Sequence, residues 1–79
     1  MKLWLISQVE NKGYDTYDSA VVAAETEDAA RNTMPSEFEK FGEDYRAWCS
    51  GPDKVKVELV GEAVPNTLAG VICASFNAG

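Results

Sequence analysis

The chain has 79 residues and a formal net charge of −6, with 13 acidic side chains, 7 basic ones and no histidine. This length predicts a single domain over residues 1–79, with a small hydrophobic core. The negative charge argues against direct binding to a nucleic-acid backbone, which needs clustered lysine and arginine. Because histidine is the commonest general base and the commonest zinc ligand, its absence favours a protein that is not an enzyme.

The composition also suggests where the protein is located. No apolar run approaches the length of a membrane span, and the apolar stretch near the N-terminus is too short for a secretory signal. We therefore expect a cytoplasmic protein. Cys49 and Cys73 both stand beside apolar residues. In a reducing compartment this context predicts two free thiols buried in the core.

The first half of the chain predicts two strands. Residues 2–8 form a strand that is largely apolar on both faces near its start, which favours a central position in a sheet. A turn signal follows at residues 11–13, and then a polar loop that contains two tyrosines. Residues 19–24 predict a second short strand built on Val21 and Val22, with small alanines that permit a helix to approach closely.

A short helix is predicted after the second strand. Thr26 fits the N-cap position, and Glu27 and Asp28 put negative charge into the first turn, where it suits the helix dipole. Pro35 is expected to stop this helix. A capping-box pattern at residues 36–39 predicts a second short helix that ends near residue 41.

The second half of the chain predicts two more strands. Residues 54–60 alternate between apolar and charged side chains, which is typical of a half-exposed antiparallel strand. Residues 70–79 form an uncharged, largely apolar run, which favours a strand in the middle of the sheet with Phe76 in the core. We therefore expect an α+β fold in the order β-β-α-β-β: a four-stranded, mostly antiparallel sheet with one short helix packed on one face.

Acidic residues are concentrated in one stretch. Residues 10–44 contain ten acidic and three basic side chains, a net charge of −7. Such charge can simply maintain solubility, or it can form a surface that meets a basic partner. No catalytic residue, metal ligand or cofactor motif is identified. The candidate binding residues are acids, loop tyrosines that offer rigid contact area, and polar residues of the last strand: Tyr14, Asp15, Tyr17, Asp18, Glu27, Asp28, Ser75 and Asn77.

Two strings in the sequence resemble a known group of proteins. They are YDTYDSAVVAAET, at residues 14–26, and GVICASFNAG, at residues 70–79. Both resemble strings in small proteins of tailed phages, prophages and bacteria, and with residues 2–8 they cover about half the chain. The resemblance implies a phage or bacterial origin, and hence a host-cell cytoplasm, but it carries over no activity and no catalytic residue.

Three functional hypotheses follow from these observations. The leading one is a small non-catalytic phage-type binding protein, an anti-defence or host-takeover factor whose acidic side meets a protein partner; the anti-defence step is analogy. The first alternative is a sponge that captures a small signalling nucleotide between protomers, for which the cations would be Arg31, Arg46, Lys54 and Lys56. The second is a small carboxylate-dependent enzyme that uses Asp15, Asp18 or Glu25. Because so small a core is marginal, self-assembly is also expected.

Overall fold

The computed structural model describes residues 1–36, 41–42 and 47–77. Its elements in chain order are β1 (Lys2–Ser7), β2 (Thr16–Ala24), α1 (Glu27–Arg31), a 3₁₀ turn (Pro52–Lys54), β3 (Lys56–Glu62) and β4 (Gly70–Asn77). The strands form one antiparallel sheet in the order β3-β1-β2-β4, and α1 contacts β1, β2 and β3. The expected α+β fold is confirmed. Within the described residues no helix is long and apolar enough to cross a membrane.

β1 is an inner strand, as its apolar side chains predict. It pairs with β2 on one side and with β3 on the other. Trp4 and Ile6 are buried on the face that α1 covers, whereas Leu3 and Leu5 are half-buried on the opposite face. The indole Nε1 of Trp4 donates a hydrogen bond to the carbonyl oxygen of Ala24, 3.0 Å away. The sheet thus has one covered face and one partly open face.

The core lies between the sheet and the part of the chain that connects β2 to β3, which contains α1 and the buried residues Trp48, Cys49 and Val55. Its largest fully buried side chains are Ile6, Val22, Trp48 and Cys49. Small residues fill the contact between β2 and α1: Ala20 and Ala24 from the strand, and Ala30 from the helix. Because alanine has little bulk, the short helix can lie close to the strand and bury area that a five-residue helix would otherwise lack.

α1 begins as predicted and ends earlier than predicted. The Thr26 side chain accepts a hydrogen bond from the backbone N–H of Ala29, at 3.1 Å, so Thr26 is the N-cap. The helix ends at Arg31, not at Pro35. The side chains of Asn32 and Thr33 donate to helix carbonyl oxygens, and this competition with the backbone favours termination there. The predicted second helix falls on residues 37–40, outside the described residues.

β4 corrects three expectations from the sequence. Among the described residues it pairs with β2 only, so it lies at the edge of the sheet and not in its middle. Its residues 71–76 are exposed, so Phe76 does not fill the core. Both cysteines are free thiols, but only Cys49 is buried, while Cys73 lies exposed on β4. The physical reason is topological: β1 occupies one side of β2, and β4 takes the remaining side, where nothing covers it among the described residues.

Candidate binding site

The loop between β1 and β2 is held in one conformation by a buried glutamine. The Gln8 amide nitrogen donates to the carbonyl oxygens of Asn11, at 2.7 Å, and Tyr17, at 2.9 Å. The Gln8 amide oxygen accepts from the backbone N–H of Asn11 at 2.8 Å. Because a buried amide with satisfied hydrogen bonds specifies its surroundings, this side chain fixes the path of the loop.

A second set of hydrogen bonds ties the same region to residues 47–50. The backbone N–H of Tyr17 donates to the carbonyl oxygen of Ala47 at 2.7 Å, and the Asn11 amide donates to that of Trp48 at 3.1 Å. The Glu10 carboxylate accepts from the backbone N–H of Ser50, at 2.6 Å, and from its hydroxyl, at 2.9 Å. The loop is therefore anchored at both ends to a segment that is distant in the chain.

Glu10 has a structural role that its place in the acidic stretch did not reveal. The hydrogen bond from the Ser50 backbone N–H lowers the pKa of the Glu10 carboxyl, and the Ser50 hydroxyl lowers it further. The positive charge of Lys54 acts in the same direction, while desolvation opposes the shift. These contacts favour the charged carboxylate, which serves as an anchor for Ser50.

The tip of the loop projects a tyrosine into solvent. Asp15 has a φ of 59°, in the left-handed region, which aspartate tolerates better than most residues. The Thr16 hydroxyl donates to the carbonyl oxygen of Gly13 at 2.7 Å and closes the turn. Tyr14, between them, is 79% exposed. The Tyr14 ring is thus exposed to solvent on a loop whose conformation is fixed by hydrogen bonds.

A pair of aromatic rings lies where this loop leads into β2. Tyr17 on β2 is opposite Phe76 on β4, and their ring centroids are 4.8 Å apart with the planes tilted by 60°. Tyr17 packs against the core, whereas Phe76 is 46% exposed. Asp18 has no direct partner on β4, because the register shifts between Tyr17 and Ser19. This bulge leaves the Asp18 carboxylate exposed next to the aromatic pair.

The structure separates the predicted binding residues into two groups. The strand register puts Asn77 opposite Thr16 and Ser75 opposite Ser19, at the end of the sheet where β2 begins. We call this surface the tyrosine end, and its residues are Tyr14, Asp15, Tyr17, Asp18, Ser75 and Phe76. Glu27 and Asp28 follow the far end of β2, a nine-residue strand that spans about 27 Å. Glu27 and Asp28 therefore lie apart from the other six predicted residues.

The acids of α1 have local roles. Glu27 and Asp28 are exposed in the first turn, and the Glu27 carboxylate forms an ion pair with Arg31 at 3.2 Å. Arg31 also donates to the carbonyl oxygen of Val55. Negative charge in the first turn complements the helix dipole, and the pair with Arg31 joins successive turns of the helix.

Phe76 is a residue of the tyrosine end that the sequence did not indicate. Its place there depends on the register between β2 and β4, which the local sequence does not specify.

The cations that nucleotide capture would need are partly engaged. Arg31 has the contacts just described, and the Lys56 ammonium lies 2.9 Å from the Glu58 carboxylate. That hydrogen bond and the Glu58 charge raise the pKa of Lys56. Lys54 is exposed, and Arg46 lies outside the described residues. No group of three or more histidine, cysteine or acidic residues that would hold a metal ion occurs in the described part of the chain.

Comparisons with protein families, with curated proteins and with solved structures found no match to this chain.

Proposed function

We propose that this protein is a non-catalytic binding protein that docks on another protein through the tyrosine end. The observation that carries the proposal is the exposed Tyr14 ring on the hydrogen-bonded loop that leads into β2, where Tyr17 contacts the exposed Phe76. Tyrosine supplies a large contact area at low entropic cost and is enriched among the residues that dominate binding energy. Because the loop is already fixed, little conformational freedom is lost on docking.

The acids define the chemistry of the partner. Asp15 and Asp18 are exposed on either side of Tyr17 in the sequence. Such a rim favours a partner surface with an apolar centre and basic surroundings, since complementary charge raises the association rate and excludes acidic competitors. The resemblance of residues 14–26 and 70–79 to phage and prophage proteins supports a bacterial host protein as the target, in the host cytoplasm. On that basis the protein acts as an anti-defence or host-takeover factor by occupying its target.

The test compares capture of bacterial proteins by matched variants. Tyr14→Ala combined with Asp18→Lys removes the displayed ring and reverses one charge at the tyrosine end. Asp18 is chosen over Asp15 because the backbone of Asp15 is left-handed. The control is Glu62→Lys, which makes the same charge change at an exposed position of β3, at the opposite end of the sheet.

We expect the unchanged protein and Glu62→Lys to retain the same bacterial protein from a lysate, and the double variant to lose it. For the captured partner, Asp18→Lys alone should slow association, and the effect should shrink as salt is added. Equal retention by the double variant would refute the proposal, and so would equal loss from Glu62→Lys. Circular dichroism of each variant establishes that the fold is intact.

A further inference from the structure

The two edge strands of the sheet differ in whether they carry charged side chains. β3, at one edge, carries the exposed charged residues Lys56, Glu58 and Glu62. β4, at the other edge, contains no charged residue and no proline, and residues 63–79 contain no charged side chain at all. Natural sheets protect their edge strands with charge, proline or a covering segment. One edge of this sheet is therefore protected by charge and the other is not.

β4 also exposes apolar side chains along its length. Val71 is 39% exposed, Ile72 is 52% exposed, and Phe76 is exposed at the tyrosine end. In the described part of the chain the backbone of β4 pairs on one side only, with β2. Unpaired strand backbone combined with exposed apolar side chains is the arrangement to which another strand adds.

From these observations we propose that β4 pairs antiparallel with β4 of a second copy of this chain. The resulting dimer has one continuous eight-stranded sheet in the order β3-β1-β2-β4-β4′-β2′-β1′-β3′. An antiparallel strand pair is self-complementary about a two-fold axis, as an isologous dimer requires. This inference is independent of the proposed function.

The charge distribution argues for a second copy as the occupant of this edge. Each chain has a net charge of −6, so two copies repel each other through most of their surfaces. Approach along β4 puts Gly70–Asn77 of both chains at the contact, and this strand has no charged side chain. Because charges are screened beyond about 8 Å at physiological salt, the lack of charged side chains on β4 removes the closest like-charge repulsion from this contact. A strongly basic partner, by comparison, would gain nothing from docking on an uncharged strand.

The strand itself limits the strength of the dimer. The register of β4 shifts between Val71 and Cys73, so Ile72 is an extra residue that interrupts the ladder. The part of β4 that has no extra residue of its own, residues 73–77, is short. A contact of this kind belongs with the weak interfaces, below about 1,200 Å² of buried surface. We therefore expect a dimer whose population depends on protein concentration.

Two equivalent bulges provide a matched experiment. Val60 on β3 and Ile72 on β4 each lie at a register shift, and they are exposed to 57% and 52%. Ile72→Lys adds a charge to the unprotected edge, and Val60→Lys adds the same charge to the protected one. Ser75→Lys is a second test variant, since it loses no apolar contact. Circular dichroism and thermal unfolding show whether each variant keeps its fold.

The measurement is sedimentation velocity over a wide range of concentration, with reductant present to exclude a disulfide between exposed Cys73 thiols. We expect the unchanged chain to dimerise reversibly. Ile72→Lys and Ser75→Lys should each raise the dissociation constant by about tenfold or more, because a lysine on an edge strand opposes the addition of another strand. Val60→Lys should leave it within about twofold. A chain that is monomeric at every concentration refutes the proposal, as does a dimer that Val60→Lys weakens as much as Ile72→Lys.

Discussion

Tyr17 and Phe76 are the only aromatic pair within ring contact in the described residues, and they join the edge strand to its neighbour. Tyr17 is anchored on its other side, where its backbone N–H donates to Ala47 and its ring packs on the core. The contact therefore connects the exposed strand to the buried part of the molecule. It lies where the loop that carries Tyr14 leads into β2.

Replacing Phe76 by leucine should weaken the packing of β4 against β2. The substitution keeps apolar bulk and removes the tilted ring contact, which is worth about 0.5–1.5 kcal/mol beyond the area it buries. We expect the free energy of unfolding in urea to fall by about 1 kcal/mol. Tyr14→Leu is the control, because its side chain is exposed, and it should change stability by no more than about 0.5 kcal/mol.

A double-mutant cycle isolates the ring contact. Tyr17→Leu and Phe76→Leu are measured singly and together, and a real contact makes the combined loss smaller than the sum of the single losses. Additive losses would mean that the two rings stabilise the protein independently.

The hydrogen bonds between Glu10 and Ser50 should make stability depend on pH. The folded state lowers the pKa of Glu10, so its contribution is present above the pKa of the unfolded chain. That contribution is lost as the pH falls through the lower pKa of the folded state. We expect Glu10→Gln to be less stable than the unchanged protein near neutral pH, and the difference to shrink as the solution becomes acidic.

Thermal unfolding at a series of pH values measures this difference. Glu62→Gln is the control, since it removes the same charge at a position remote from Ser50 and so accounts for the change in net charge. If the gap between Glu10→Gln and the unchanged protein stays constant down to strongly acidic pH, the two hydrogen bonds from Ser50 do not stabilise the fold.

The two thiols should react at very different rates. Cys73 is exposed on β4, whereas Cys49 is buried and its thiol donates to the carbonyl oxygen of Gly51 at 3.4 Å. Burial also raises the pKa of Cys49, so less of the reactive thiolate is present. With a thiol reagent at low protein concentration, we expect one equivalent to react quickly and the second only as the protein opens.

Variants with a single cysteine replaced by serine assign the fast and slow reactions to Cys73 and Cys49. Cys73→Ser should remove the fast phase, and Cys49→Ser should remove the slow one. Two fast phases in the native protein would contradict the burial of Cys49, and denaturant should make both thiols fast.

Features that depend on local chemistry could be predicted from the sequence. The Thr26 cap requires only a hydroxyl before an acidic first turn, and the inner position of β1 follows from apolar residues on both faces. The place of β4 could not be predicted in this way. An uncharged apolar run indicates burial, but which strands occupy the inner positions depends on how all four are ordered.

The residues of the candidate site also divide into those that the local sequence indicates and those that depend on strand pairing. The exposed tyrosine and acids of residues 14–18 were recognised from the residue types of a polar loop. Phe76 was missed as a surface residue, because its position beside Tyr17 depends on the pairing of β2 with β4. The separation of Glu27 from that group depends on the length of β2, which begins at Thr16 and not at the predicted residue 19.

The strand order also determines how the sheet comes apart. β1 and β2 form a hairpin of neighbouring segments, and β3 and β4 join its opposite edges without pairing with each other. β4 can therefore detach while Trp4, Ile6 and Trp48 stay packed between the remaining three strands and α1. Amide protons of β4 should then exchange with solvent through a partial opening, whereas those of β1 should exchange only when the whole domain unfolds. We therefore expect the last strand to open as a separate cooperative unit, at a lower free energy than the whole domain.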